Sequence, residues 1–254
     1  MPVFNEESTA GVMICSLYPL CDLLLVVNDG SIDRTGEILQ DLEKEIPNMT
    51  LITSRTNRGK SHALKLAFTR ILELRAEDEL GDRDLVITTD GDGQLPVEAI
   101  DDACRQLEKC GLDLLIGCRD LSLYPFMKKA GNLFLSYLAS MLTGFSFRDT
   151  QCGFRVMSVA ALNRIMPYYR ARGYACEQEI SIISALTGLK MDNSLRINPC
   201  YYRSNSTYPD AFHITLDSFA TFLRVRFNTG RKMQSSSGEK SPAGDIPTTG
   251  RENN

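Results

Sequence analysis

The chain has 254 residues, of which 43% are hydrophobic and 24% are charged, and its formal net charge at pH 7 is −4. That balance is typical of a globular protein with a buried core, and it argues against a largely disordered chain. The small negative charge argues against a nucleic-acid-binding protein, although a local basic cluster could still bind a phosphorylated ligand.

Eight cysteines are scattered along the chain without a C-x-x-C pair, a pattern typical of free thiols in a reducing compartment. With only two histidines, a structural zinc site is not expected. The sequence shows no signal peptide and no run of the roughly 20 apolar residues that span a bilayer. We therefore expect a cytoplasmic protein, at most peripheral to the cytoplasmic face of a membrane.

Four short apolar runs in the first half are typical of buried strands, and segments with helical spacing separate them. After Lys60, apolar residues recur at positions 63, 64, 67, 68, 71 and 72, which form one face of a helix. Pro96 is tolerated in a first helical turn and predicts the start of another helix. This alternation predicts parallel βαβ units with helices on both faces of the sheet. The predicted strands are 23–27, 51–53, 85–88 and 114–117.

Residues 132–142 carry an apolar stripe at helical spacing, and Lys128 and Lys129 precede them. One interpretation is a helix packed on the core, and the other is a surface helix that touches lipid. From about Ser235 the chain is rich in Ser, Gly, Pro and charge and lacks periodicity. We therefore predict a folded domain over residues 1–230 and a disordered polar tail over 231–254.

Polar residues follow the predicted strands, where ligands of parallel sheets bind. Asn28 and Asp29 come after the first strand, and they either form a turn that Asp33 caps or hydrogen-bond a nucleobase or ribose. Arg58 and Lys60 flank a glycine at a helix start, an arrangement that favours anions. The alternative interpretation of residues 58–60 is a solvated turn that happens to be charged.

Asp90 and Asp92 follow the third predicted strand, and an extended backbone would place both carboxylates on one side about 7 Å apart. Carboxylates this close repel each other unless a cation lies beside them. Oxygen ligands without His or Cys suit Mg²⁺ or Mn²⁺, which usually retain substrate phosphate oxygens. A calcium loop of EF-hand type does not fit, because its fifth, sixth and twelfth positions hold Gln94, Leu95 and Asp101. A simple turn rich in Asp and Gly is the remaining alternative.

A fourth polar stretch at 149–155 is followed by Glu177, Glu179 and Arg203. Each charge alone is compatible with a surface residue. Together, carboxylates and arginines in the half that follows the βαβ region suit an acceptor site.

Six motifs occur in order: PVFNEE from Pro2, VNDGSxDxT from Val27, NxGKxxA from Asn57, DxDGQxxP from Asp90, GxR from Gly117 and DTQCGFR from Asp149. In that order they resemble the family 2 glycosyltransferases, especially the polyprenyl-phosphate branch that includes dolichyl-phosphate mannosyltransferase and its bacterial relatives. The resemblance covers about residues 2–227. It implies a GT-A fold, which is an α/β fold with a Rossmann-like, mostly parallel sheet flanked by helices. A nucleotide half would span about 1–120 and an acceptor half about 121–230.

The resemblance also implies roles for individual residues. Asp90 and Asp92 would bind the metal, while Asp149 or Glu179 would be the carboxylate at the reacting centre. The nucleotide-sugar site would contain Pro2, Phe4, Glu6, Asn28, Asp29, Lys60, Asp90, Gly91, Asp92, Gln94 and Arg119. The acceptor phosphate would meet Lys128, Lys129, Arg155 and Arg203.

The implied reaction is an inverting transfer from a nucleotide sugar to a polyprenyl phosphate of the dolichyl or undecaprenyl type, with Mg²⁺ or Mn²⁺ as cofactor. The metal and nearby cations would stabilise charge on the leaving diphosphate. A lipid phosphate is already ionised, whereas a saccharide hydroxyl in cell-wall or capsule synthesis would need Asp149 or Glu179 as a base. The saccharide acceptor is the alternative within this class.

Three departures from the family pattern shape these expectations. Met1 stands directly before Pro2, where family members carry an apolar strand, so the first strand is expected to be missing. A truncated, inactive nucleotide-sugar-binding protein is therefore a further alternative. Asn28 replaces the first aspartate of a usual pair, which could change the nucleotide preference. Many relatives carry transmembrane helices near the C-terminus, so membrane contact here would need the amphipathic helix or an anchored partner.

Overall fold

Strands and helices alternate through most of the computed structural model, which describes residues 1–94, 96–199 and 207–236. The strands are β1 (Pro2–Val3), β2 (Leu24–Asn28), β3 (Met49–Thr53), β4 (Leu85–Thr88), β5 (Leu114–Ile116), β6 (Cys118–Arg119), β7 (Arg155–Ser158), β8 (Met191–Asp192) and β9 (Arg196–Ile197). The helices are α1 (Ala10–Leu17), α2 (Thr35–Glu45), α3 (Lys60–Ala76), α4 (Ala99–Cys110), α5 (Phe126–Thr143), α6 (Val159–Ile165), α7 (Cys176–Leu186) and α8 (Tyr208–Ser236). Short 3₁₀ helices lie at Tyr18–Leu20 and Leu121–Leu123.

Two sheets form the centre of the fold. The first is parallel, in the order β1–β2–β3, and the second has the order β4–β7–β5–β8. The four predicted strands are present, with shifts at their ends. The second sheet is mixed, because β7 from the acceptor half lies antiparallel between β4 and β5.

Helices cover both faces of the sheets, as the strand-and-helix alternation predicts. One buried cluster lies on the side of α3, α6 and α7 and includes Phe68, Leu162 and Ile183. The other lies on the side of α1, α2 and α4 and includes Ile14 and Leu39. This α/β architecture with two covered faces matches the expected fold class. The described cysteines are all free thiols.

A short first strand is present, which corrects the expectation that it is missing. Pro2 and Val3 pair in parallel with Val27 and Asn28 of β2. The amino group of Met1 donates to Leu25 O at 2.7 Å, and Val27 N donates to Met1 O at 2.9 Å. The first three residues therefore place the Pro2 motif at the same end of the sheet as the end of β2.

A cavity of about 610 Å³ lies beyond the start of β1, between β2 and β4. It is lined mainly by apolar side chains, among them Leu25 of β2, Val86 of β4 and Ala67 and Phe68 of α3. Only the last part of β2 pairs with β1, and β4 is an edge strand of its sheet among the described residues. The two sheets are therefore separated on this side by a space with apolar walls.

The predicted helix at 132–142 is longer than expected, because α5 begins at Phe126 and includes both Lys128 and Lys129. Leu135, Leu138 and Ala139 are buried, whereas much of the predicted stripe is exposed. The exposed members are Leu133, Phe134, Tyr137 and Met141. The exposure favours the surface interpretation for these residues.

Helix α8 packs on α5 and α7 and runs to Ser236, so it includes the first residues of the predicted tail. Residues 237–254 of that tail lie outside the described residues. Within the ranges that the structure describes, no helix has the length and hydropathy needed to cross a membrane.

Candidate active site

A cleft of about 360 Å³ opens where the carboxyl ends of several strands meet. Pro2 and Val3 of β1 line it, together with Asp29 after β2, Asp90 after β4 and Arg119 in β6. Ligands of open α/β sheets bind at this edge. The strand ends therefore bring together motifs that are far apart in the sequence.

Asp90 and Asp92 both line the cleft, in the loop between β4 and α4. Gln94 braces Asp92 through its backbone N–H, which donates to Asp92 Oδ1 at 3.0 Å. Burial raises the pKa of Asp92, and the negative charge of Asp90 raises it further. A nearby divalent cation would offset both effects, because it favours the ionised carboxylate.

Lys60 lies between two carboxylates at the start of α3. Its Nζ is 2.5 Å from Asp90 Oδ1 and 2.6 Å from Glu177 Oε1. Burial alone would lower the pKa of Lys60, but attraction by Asp90 and Glu177 outweighs burial and raises the pKa well above its ordinary value. Burial alone would raise the pKa of Glu177, yet Lys60 holds it below its ordinary value. Lys60 and Glu177 are therefore both ionised at neutral pH.

Arg119 lines the cleft, and Asp149 holds it from behind. Asp149 accepts from Arg119 Nε at 2.8 Å, from Arg119 Nη2 at 3.0 Å and from the backbone N–H of Gln151 at 3.1 Å. Burial alone would lower the pKa of Arg119, but Asp149 raises it overall. Asp149 is 2% exposed and is not among the residues that line the cleft. The structure therefore gives Asp149 the geometry of a residue that positions Arg119, and its role at the reacting centre stays a prediction.

Asp29 and Asn28 have different surroundings. Asp29 lines the cleft and accepts from the backbone N–H of Gly59 at 2.7 Å and of Arg58 at 3.1 Å. Asn28 accepts from Ser31 N at 3.0 Å and does not line the cleft. Asp29 therefore stabilises the loop that precedes Lys60, and Asn28 stabilises the turn that contains Ser31.

Most of the predicted nucleotide-sugar residues converge on the cleft, and several other predicted site residues do not. The residues that line it are Pro2, Phe4, Glu6, Asp29, Lys60, Asp90, Gly91, Asp92, Gln94, Arg119 and Lys128. Lys129 lies on α5 away from the lining. Arg203 lies outside the described residues.

Arg155 and Glu179 are each buried in a contact within the fold, and their predicted roles at the site stay predictions. Arg155 is 1% exposed and donates from Nη2 to Thr150 O at 2.8 Å, so it braces the 149–155 segment from inside. Burial lowers its pKa. Glu179 forms an ion pair with Arg224 of α8 and accepts from Arg170 N at 2.9 Å. Neither side chain lines the cleft.

Glu177 lies in the cleft, although the family resemblance assigned it no individual role. It lines the cleft and contacts Lys60. Residues two apart on a helix point about 200° away from each other, so Glu177 and Glu179 of α7 face different neighbours. Their spacing was a usable signal that only one of them faces the cleft, but the sequence does not tell which.

The residues present fit a divalent cation of the Mg²⁺ or Mn²⁺ type. Asp90 and Asp92 offer hard oxygen ligands, and such ions usually take one or two carboxylates together with substrate phosphate oxygens. In the described part of the chain, no group of three or more His, Cys, Asp or Glu side chains could hold a metal. The carboxylate pair therefore suits an ion that shares its coordination with a phosphorylated ligand.

Comparison with known proteins agrees with this geometry. The family model described as "Glycosyl transferase family 2" matches residues 1–166. An uncharacterized protein of Methanocaldococcus jannaschii is 30% identical over 198 residues, which cover 75% of this chain and 82% of that protein. UDP-N-acetylglucosamine–dolichyl-phosphate N-acetylglucosaminyltransferase of Methanococcus voltae is 29% identical over 196 residues, covering 72% of this chain and 78% of that one.

Solved structures show the same fold. Glucosyl-3-phosphoglycerate synthase of Mycobacterium tuberculosis, in complex with Mn²⁺, UDP-glucose and phosphoglyceric acid, superposes with a TM-score of 0.60 at 20% identity. The superposition covers 88% of this chain and 77% of that one. At this identity the likeness establishes the GT-A fold.

Proposed function

The chain belongs to glycosyl transferase family 2, and from that membership we propose that it transfers a sugar from a nucleotide-sugar donor to a polyprenyl phosphate. The observation that carries the proposal is the cleft in which Asp90 and Asp92 lie beside Lys60 and Arg119. The acceptor class is supported by the dolichyl phosphate in the name of the Methanococcus voltae relative.

The donor would lie along the strand ends. Its nucleoside would meet Pro2, Phe4 and Glu6, and its diphosphate would lie near Lys60 and Arg119. Asp90 and Asp92 would hold Mg²⁺ or Mn²⁺, which supplies positive charge beside the diphosphate. The chain's own contribution is a set of fixed charges that are oriented before the reaction starts.

The reaction we propose is a single displacement with inversion. An oxygen of the acceptor phosphate attacks the anomeric carbon while the bond from that carbon to the diphosphate breaks. Lys60 and Arg119 stabilise the negative charge that grows on the leaving diphosphate. Lys128 lines the same cleft and would meet the acceptor phosphate.

The state of the carboxylates supports a phosphate acceptor over a saccharide hydroxyl. A hydroxyl needs a base to remove its proton, whereas an ionised phosphate does not. Asp149 is engaged by Arg119, and Glu177 is engaged by Lys60. A phosphate acceptor uses this arrangement without requiring either pair to break.

A transfer assay tests the acceptor class. The full chain is incubated with Mn²⁺ and labelled UDP-sugars, together with dolichyl phosphate, undecaprenyl phosphate or a free oligosaccharide. We expect label in the lipid-phosphate fraction and its loss on addition of a chelator. Label in the oligosaccharide alone would favour the saccharide alternative, and no transfer with any acceptor would favour a nucleotide-sugar-binding protein without activity.

Asp92→Asn tests the metal site. The substitution removes one charged oxygen but retains a group that can accept from Gln94 N, so we expect Mn²⁺-dependent binding of UDP to be lost with little change in folding. Calorimetry with and without Mn²⁺ measures it. Asp101→Asn, at an exposed position of α4, is the matched control and should bind as the wild type does. Unchanged binding by the Asp92 variant would refute the assignment.

We also propose peripheral membrane contact through α5 and α8. These helices pack together, and both expose large apolar side chains. Phe126 and Tyr137 of α5 are 80% and 64% exposed, and Phe212 and Phe227 of α8 are 63% and 68% exposed. Exposed apolar surface on adjacent helices is typical of a membrane or protein contact. A polyprenyl acceptor makes a membrane the favoured occupant and places the enzyme at a membrane face.

A further inference from the structure

Lys60 contacts the carboxylate of Asp90, which is also a proposed ligand of the metal ion. Its Nζ lies 2.5 Å from Asp90 Oδ1, and its side chain is only 20% exposed. The backbone holds the start of α3 firmly, since Ser61 N and Ser61 Oγ both donate to Gly173 O, at 3.0 and 2.8 Å. The ammonium group is therefore a fixed neighbour of Asp90 and not a solvated charge.

A divalent cation on Asp90 must compete with this ammonium group. Both cations need oxygens of the same carboxylate, and positive charges a few ångströms apart repel each other strongly where water is scarce. Glu177 gives Lys60 a second carboxylate on which it can remain. The ammonium group bridges Asp90 and Glu177, so Glu177 can still hold it when a metal ion takes the oxygen of Asp90.

Asp90 and Lys60 both lie close against the backbone of Gly153, which has no side chain to keep them apart from it. A Cβ atom there would lie 2.5 Å from Asp90 Oδ2 and 3.1 Å from Lys60 Nζ. The glycine therefore lets the carboxylate and the ammonium group approach the backbone and each other closely. Gly153 and Glu177 both line the cleft, so this charged contact lies in the proposed site.

We propose that Lys60 competes with the divalent cation for Asp90, and that a bound diphosphate relieves this competition by attracting both cations. The metal and the nucleotide then bind cooperatively. Without nucleotide, the ammonium group weakens metal binding. With nucleotide, the diphosphate supplies negative oxygens for the metal and for Lys60 together. This inference rests on the proposed metal-dependent function and adds a binding order to it.

Mn²⁺ binding measured by the electron paramagnetic resonance of the free ion tests the proposal without an activity assay. The full chain is titrated with Mn²⁺ alone and with Mn²⁺ in the presence of UDP. Lys60→Gln and Lys60→Met both remove the charge, one with a polar and one with an apolar side chain. If one variant fails to fold, the other can still be titrated. Thermal melting checks that each variant is folded. Lys65→Gln removes the same charge from an exposed position of α3 and is the matched control.

We expect both Lys60 variants to bind Mn²⁺ alone on the order of tenfold more tightly than the wild type, the effect of removing one close charge. We also expect UDP to raise their Mn²⁺ affinity by a smaller factor than it does in the wild type. Because coupling is reciprocal, Mn²⁺ should raise UDP affinity by that same smaller factor. Lys65→Gln should match the wild type in every titration.

Two negative results have different meanings. If the wild type binds Mn²⁺ with UDP but the Lys60 variants bind Mn²⁺ alone no more tightly, competition by Lys60 is refuted and the proposed function stands. If the wild type binds no Mn²⁺ with or without UDP, the metal-dependent function is refuted, and this inference with it.

Discussion

At the scale of single residues, Gly153 lies so close to two charged side chains that a larger residue would displace them. It lies against Asp90 and Lys60, and its backbone φ is outside the left-handed region, so an alanine would be tolerated by the main chain. A residue with a side chain is therefore excluded here by the short distance between its Cβ and the two charged groups, not by the backbone conformation.

We expect Gly153→Ala to lower the transfer rate by about 10- to 100-fold, because displacing Asp90 by a fraction of an ångström to 1 Å misplaces the reacting groups. Steady-state kinetics and melting temperature are measured together. Gly131→Ala is the control, since its Cβ would meet nothing within 4 Å and it lies inside α5. The control should keep its activity and gain roughly 0.5–1 kcal/mol in stability. Equal rates for the two variants would contradict the account of the site.

The candidate site could be predicted in part from the sequence. Asp90 and Asp92 follow an apolar strand, and the position of a carboxylate after a strand is a local property. The difference between Glu177 and Glu179 is not local, because it depends on the rotation of α7 against α3 and α8. Asp149 shows the same limit, since its partner Arg119 is thirty positions away and no spacing rule pairs them.

At the scale of elements, the residue that precedes β1 carries a buried ionisable group in a chain that begins with Met1. Burial lowers the pKa of the Met1 amino group from 8.0 to about 6. Between these two values the folded protein holds the neutral amine while the unfolded chain is protonated. Unfolding then takes up a proton, so stability rises as the pH rises from 6 to 8 and levels off above 8.

The expected gain over that interval is about 2–3 kcal/mol. Chemical denaturation at several pH values measures it, on protein whose retained Met1 has been verified by mass spectrometry. The same protein acetylated at its N-terminus cannot protonate there and should lack this slope. An equal slope in both samples would assign the pH dependence to other groups.

Strands and helices with strong local patterns were predictable, and their order in the sheets was not. β2, β4 and α3 follow from apolar runs and from helical spacing near Lys60. β7 is a four-residue strand, and its place between β4 and β5 depends on contacts with residues about forty to seventy positions away. The antiparallel position of β7 depends on contacts between residues far apart in the sequence, and short-range patterns do not encode such contacts.

At the scale of the whole molecule, the exposed apolar faces of α5 and α8 set an expectation for membrane binding. We expect the double variant Phe134→Glu, Tyr137→Glu to bind vesicles that contain phosphatidylserine at least about tenfold more weakly than the wild type, because each change removes apolar area from the contact. Co-sedimentation measures the bound fraction. Val12→Glu, on exposed α1, is the control and should bind as the wild type does. Equal binding by all three proteins would exclude this face.

Because of the cavity between β2 and β4, the folded and unfolded states differ in volume, and the stability of the fold depends on pressure. The cavity walls are mainly apolar and the cavity is partly open to solvent, so the part of this space that water does not fill is eliminated when the chain unfolds. Hydrostatic pressure favours the state of smaller volume, so compression should unfold this protein more readily than a fold whose sheets meet without a gap. Ala67→Leu, which adds bulk to the cavity wall, should shrink the volume change measured by tyrosine fluorescence under pressure.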